Sequence, residues 1–177
     1  MAMVTAKLEG VEVLMAKLQK LANIGGMVKA GVLEGAKNAD GKDVLDYASI
    51  QEFGGQIKVT DKMRGFLAVN YGIHLRKDTT HITIPPRSFL RSTYQKHRRE
   101  WFDIVARAIK EGKGELALEY AGMRMQDDII QTIQGNMPPP NSAATTMIKQ
   151  KIAPAAVGKT LMQTGTLVHS INYEVQS

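Results

Sequence analysis

The chain has 177 residues with a formal net charge of +6, and 44% of the residues are hydrophobic while 23% are charged. This balance is typical of a folded globular domain and excludes wholesale disorder. The absence of cysteine excludes disulfides, zinc–thiolate sites and thiol nucleophiles. Because no apolar run approaches about 18 residues and no charged-then-apolar signal opens the chain, we expect a protein that neither spans a membrane nor is secreted.

The spacing of apolar residues predicts the elements of the first half of the chain. In order, they are a helix over 5–22, a strand over 27–33, a helix capped by Asp43 and running to Phe53, an extended piece over 57–59, a helix over 62–70 and a strand over 80–84. Pro85 and Pro86 end the last strand, since neither can donate to a ladder. We expect one domain over residues 1–177, with residues 1–25 as a candidate flexible arm.

Two long helices dominate the prediction for the second half. The elements are a helix over 88–111, a helix over 115–134, a short helix from Asn141 or Ser142 to about Lys151, a helix over 160–169 and a strand over 170–175. On the first long helix, the apolar face comprises Leu90, Tyr94, Trp101, Val105 and Ala108. Strands and helices do not alternate as βαβ units. The predicted class is therefore α+β, a small antiparallel sheet of three to four short strands packed with long helices.

The positive charge is confined to the middle of the chain. Residues 61–113 contain 12 Lys/Arg and 5 Asp/Glu, whereas the flanking segments are close to neutral. A patch of this kind favours contact with DNA or with an acidic partner. The candidate contact residues are Arg87, Arg91, Arg98 and Arg99. A solvated helix face is the alternative, because opposite charges such as Lys96–Glu100 and Arg99–Asp103 stand at i,i+4 and can pair.

Enzyme constellations are not found in the sequence. None of the four histidines has a second histidine or an acid at the spacing of a metal-ligand set. Asp127 and Asp128 point about 100° apart on a helix, so they cannot act as a dyad. Val157–Thr160 ends like a phosphate-binding loop but lacks the earlier glycine that such a loop requires. We expect no catalytic residue, no metal and no cofactor.

Four segments in order carry a resemblance to a known family. They are ASIQEFGG at 48–55, ITIPPRSFLR at 82–91, PNSAATTMIK at 140–149 and LMQTGTLVHSI at 161–171. Together they resemble blocks of the small virion morphogenesis proteins of tailed bacteriophages, which are neck, head–tail connector and tail-completion proteins. The residues matching the family motif are Glu52, Phe53, Gly54, Pro85, Arg87, Phe89, Leu90, Thr164 and Gly165.

Local chemistry makes these motif residues fold determinants. We expect Phe53 to be an aromatic anchor at a helix end, followed by Gly54, which can take a positive φ. Phe89 and Leu90 are expected to pin the first turn of the long helix, and Thr164–Gly165 to allow a tight turn before the last strand.

The resemblance implies a non-enzymatic structural protein of phage virion assembly. It would act at the head–tail junction of a phage or prophage particle, after assembling in the host cytoplasm. Its implied partners are other neck, tail and connector proteins and further copies of itself, in a homo-oligomer such as a ring, with packaged DNA as a possible contact. Neither a membrane nor a small-molecule substrate is implied. The alternative function is a DNA-binding module that uses the basic helix 88–111.

Overall fold

The structure is a computed structural model that describes residues 25–33, 35–37, 41 and 43–176. Its helices are α1 (Val44–Phe53), α2 (Asp61–Tyr71), α3 (Phe89–Lys110), α4 (Ala117–Gln134), α5 (Ala143–Ile152) and α6 (Thr166–His169), and its strands are β1 (Met27–Val32), β2 (Gly55–Lys58), β3 (His81–Ile84) and β4 (Ile171–Gln176). Short 3₁₀ turns cover Gly114–Leu116 and Pro154–Ala156. The predicted helix over 5–22 lies outside the described residues.

The four strands form two separate antiparallel pairs. β1 pairs with β4, placing Met27 opposite Gln176 and Val32 opposite Ile171. β2 pairs with β3, placing Gly55 opposite Ile84. The α+β class is confirmed, with short antiparallel strands and long helices.

The core lies where α4 meets its neighbours. α4 packs against α3 and against both strands of the β1–β4 pair. The buried cluster comprises Val44, Ala48, Phe89, Ile129, Ile133, Leu161, Leu167 and Ile171. At Gly122 the helix approaches the sheet so closely that a Cβ atom would overlap the ring of Tyr173. Gly122 therefore sets how near α4 can lie to β4.

Helix starts follow the predicted capping residues. Asp43 Oδ1 accepts a hydrogen bond from the Leu45 N–H at 2.8 Å, and Ser142 Oγ accepts from the Thr145 N–H at 3.2 Å. Each bond satisfies one of the backbone donors that a helix start leaves unpaired. Within the described residues, no helix combines the length and hydropathy needed to cross a bilayer.

Two predictions about helices are wrong. The helix over 160–169 is restricted to α6, because Gly165 at φ +81° has a left-handed conformation and a helix can start only after it. Tyr94, expected on the apolar face of α3, is 49% exposed. The contact face at this end of α3 runs instead through Phe89 and Thr93, whose hydroxyl donates to the Phe89 carbonyl at 2.6 Å and contacts Thr132 Oγ1 at 2.7 Å.

Candidate functional site

Glu52, near the end of α1, caps the start of α3 from across the core. Its side chain is 3% exposed, and its two carboxylate oxygens accept hydrogen bonds from the backbone N–H groups of Leu90 (2.9 Å) and Arg91 (3.1 Å). The Arg91 Nε also donates to it at 3.1 Å. Ser88, the residue preceding α3, makes no side-chain capping bond. A negative charge at this position stabilises α3 both as a hydrogen-bond acceptor and through the helix dipole.

Arg87 follows β3 and is buried, with 6% of its surface exposed. Its Nε donates to the Pro139 carbonyl at 2.9 Å, and a terminal nitrogen donates to the Pro140 carbonyl at 3.2 Å. The other terminal nitrogen lies 3.4 Å from Gln51 Oε1. All three acceptors are neutral, and burial lowers the pKa of the Arg87 guanidinium.

Lys149, on α5, is a second buried cation with 3% of its surface exposed. Its Nζ donates to the carbonyls of Lys159 at 2.5 Å and Met162 at 2.6 Å. Burial, and after it the positive charge of Arg87, lowers the pKa of Lys149. The two cations thus lie close enough to repel each other.

Arg87 and Lys149 line the same cavity, whose volume is about 390 Å³. Tyr47 and Gln51 of α1 contribute to its wall, as do residues of β3 and the start of α5. Among the described residues that line the cavity, none is Asp or Glu. The cavity therefore combines two buried positive charges with no acidic side chain.

All four segments of the family resemblance contribute to this cavity. The first supplies Gln51, the second Arg87, the third Lys149 and the fourth Leu161. Glu52 and Phe89 are buried and Leu90 is half-buried, but none of the three lines the cavity. Gly54 has φ +78°, and a Cβ there would lie 3.0 Å from the Pro86 ring, so the position requires glycine.

Three other motif residues differ in their placement. Pro85 is half-buried at the cavity wall, and Thr164 is exposed. The prediction that Phe53 is an aromatic anchor is wrong, because its side chain is 67% exposed. Its ring instead carries the Arg91 guanidinium 5.1 Å above it, a cation–π contact at the surface.

The four candidate contact arginines do not share one surface. Arg91, Arg98 and Arg99 are exposed, whereas Arg87 is buried at the cavity. The anticipated i,i+4 pairs along α3 are not formed in the part of the chain that the structure describes, since Glu100 pairs with Arg124 on α4 at 3.0 Å. The pairs that supported the solvated-face alternative are thus not formed among the described residues, whereas the exposure of Arg98 and Arg99 agrees with that alternative.

A polar cluster between α3 and α4 was missed by the sequence analysis. Buried Asp128 accepts from Trp101 Nε1 at 2.7 Å and from Arg124 Nε at 3.2 Å, and His97 Nδ1 lies 3.7 Å away. His97, Glu100 and Asp128 present ligand atoms within 4.8 Å of one another, a spacing compatible with a metal ion. Arg124 bonds both carboxylates, however, so its guanidinium already supplies the positive charge. This arrangement supports a structural role.

The prediction that Asp127 and Asp128 diverge is confirmed, because Asp127 is exposed whereas Asp128 is buried.

Comparisons of the chain with models of protein families, with curated proteins and with solved structures gave no match. Functional assignment therefore depends on the residues and geometry of this chain.

Proposed function

We propose that this protein is a non-enzymatic structural component of tailed-phage virion assembly, acting at the head–tail junction in tail completion or as a neck protein. It works through contacts with other neck, tail and connector proteins and with further copies of itself. One observation carries the proposal: the four sequence segments that resemble the family, although distributed over residues 48–171, all contribute to one cavity. Segments that share a structural role are expected to meet in this way, whereas unrelated short matches have no reason to do so.

The surface of the protein also supports a role in assembly. Large apolar side chains are exposed on several elements, including Phe53 (67%), Val69 (86%) and Phe102 (68%). α2 contains no buried residue, although its sequence includes Phe66 and Val69. Phe66 and Val69 are three residues apart and are therefore neighbours on one face of α2. Adjacent exposed apolar side chains of this kind favour contact with another protein, whereas single ones do not.

Deletion of the gene from the phage or prophage that encodes it tests the proposal. Electron microscopy of the lysate should reveal DNA-filled heads beside separate, finished-looking tails. Supplying the wild-type gene in trans should restore joined particles, which controls for effects on neighbouring genes. A normal yield of infectious particles from the deletion would contradict the proposal.

A second candidate function, DNA binding by the basic face of α3, is favoured by the exposed Arg98 and Arg99. Neither forms an ion pair with any residue that the structure describes. The logarithm of the DNA association constant should then fall linearly with the logarithm of the salt concentration. The slope of this line should be about −0.9 per neutralised phosphate. Replacing both arginines by glutamine should reduce that slope, whereas Lys77→Gln, an exposed change outside α3, should not. Absence of binding at low salt would remove this candidate.

A further inference from the structure

The two buried cations of the cavity retain hydrogen-bonding capacity that the protein does not use. A guanidinium has five N–H groups and an ammonium has three. Arg87 makes three side-chain hydrogen bonds and Lys149 makes two, all to neutral oxygens. Donors therefore remain on both groups. Buried charges are normally paired, and here the cavity wall offers no carboxylate among the described residues.

Other groups at the cavity also favour a negative charge. Ser142 caps α5 and Thr145 lies in its first turn. Both line the wall, so the positive end of that helix lies at the cavity. Thr160 lines it too, and its buried hydroxyl has no hydrogen-bond partner. The unpaired hydroxyl is an additional polar group available to an anionic ligand.

The remaining wall is suited to an extended peptide. β3 lines the cavity and pairs with β2 alone among the described strands. Val59 N–H donates to the Thr80 carbonyl at 2.8 Å, which makes these two a hydrogen-bonded pair. Because such pairs alternate along an antiparallel ladder, the backbone N–H and C=O of Thr83 point away from β2. An incoming strand can use these groups, while the half-buried Ile82 and Ile84 offer apolar contacts.

We propose that this cavity binds an acidic peptide segment of a protein partner, with one carboxylate placed between Arg87 and Lys149. The charge of the carboxylate complements the two cations, and its two oxygens can accept from the unused donors of both. A volume of about 390 Å³ exceeds the needs of a single small anion. The free edge of β3 and the apolar wall favour a carboxylate carried by a peptide over free phosphate. This inference concerns the isolated protein and does not depend on the phage assignment.

Degenerate peptide pools test the proposal on the full-length chain. Each pool contains fluorescent eight-residue peptides with blocked ends and one fixed central residue, and binding is measured by fluorescence anisotropy. Pools with fixed glutamate or aspartate should bind about tenfold more tightly than the pool with fixed glutamine. Equal affinity for the acidic and glutamine pools, or no binding by any pool, would overturn the proposal. Preference for a phosphoserine pool, or displacement by millimolar inorganic phosphate, would reassign the site to phosphate.

Two exposed glutamines provide a matched pair of variants that locates the binding. Gln163 lines the cavity, whereas Gln131 is exposed on α4 and does not. Gln163→Glu supplies a competing carboxylate at the wall and should weaken binding of the acidic pools about tenfold. Gln131→Glu makes the same charge change elsewhere and should leave affinity within about twofold. Equal effects of the two variants would show that binding does not occur in this cavity. Circular dichroism confirms that both variants are folded.

Discussion

Replacing Glu52 by glutamine tests whether a residue of α1 stabilises the start of α3. The wild-type carboxylate accepts from the backbone N–H groups of Leu90 and Arg91 and from the Arg91 side chain. Glutamine preserves the shape of the side chain but replaces one acceptor oxygen by an NH₂ group. One backbone N–H of α3 then faces a donor, and the negative charge at the helix start is lost.

The expected loss follows from these contacts. A buried N–H deprived of its acceptor costs about 1–3 kcal/mol, and a partly buried charge at a helix end contributes up to about 2 kcal/mol. Arg91 adds little, because its side chain is 58% exposed and is solvated again once the pair is broken. We therefore expect Glu52→Gln to lower the free energy of unfolding by about 2–4 kcal/mol.

Urea unfolding followed by circular dichroism measures this loss. With a slope of about 2 kcal/mol per molar urea, the midpoint should fall by about 1–2 M. Glu111→Gln is the matched control, because Glu111 is half-exposed and its one ion pair among the described residues is with exposed Lys113 at 3.2 Å. It should cost less than about 1 kcal/mol. If the two variants unfolded at the same urea concentration, the capping role of Glu52 would be refuted.

Further predictions concern glycine positions and Lys149. Gly54→Ala should lower the free energy of unfolding by about 1–3 kcal/mol, because a positive φ is combined with contacts of 3.0–3.1 Å to the new Cβ. Gly65→Ala, inside α2 with open space around the new Cβ, should raise the free energy of unfolding by roughly 0.5–1 kcal/mol. If the urea midpoints of the Gly54 and Gly65 variants moved in the same direction, this pair of predictions would be contradicted. Gly122→Ala should lower the free energy of unfolding by about 1–3 kcal/mol, because the ring of Tyr173 must move. If both the melting temperature and the near-ultraviolet circular dichroism were unchanged, this prediction would be contradicted. Since burial, and next Arg87, lower the pKa of Lys149 below its ordinary 10.5, the folded chain binds fewer protons than the unfolded chain between the lowered value and 10.5. The stability of the wild type should accordingly rise relative to that of Lys149→Met as pH increases through that window. A difference in urea midpoint between the two proteins that stays constant over this pH range would refute the prediction.

Elements that depend on nearby residues were predictable from the sequence. α3 and α4 lie within a few residues of their predicted bounds, because their apolar periodicity extends over many turns. The predicted starts of α1 and α5 match the capping bonds of Asp43 and Ser142. The exposed Phe53 shows the limit of local reasoning. An aromatic residue at a helix end is an anchor only where another element covers it, and the spacing of residues does not contain that information.

The candidate site lay beyond prediction for the same reason. Sequence alone determined the α+β class, because helix and strand periodicities are short-range patterns. The family resemblance marked the four segments that contribute to the cavity. Tertiary structure decided what their charged residues do. Glu52 caps α3 by accepting from the backbone N–H of Leu90, which lies 38 residues further along the chain. Arg87 is buried and donates to the carbonyls of Pro139 and Pro140, and Lys149 lines the same cavity. A buried charge is defined by its solvation and its partners, and only the folded chain brings those partners together.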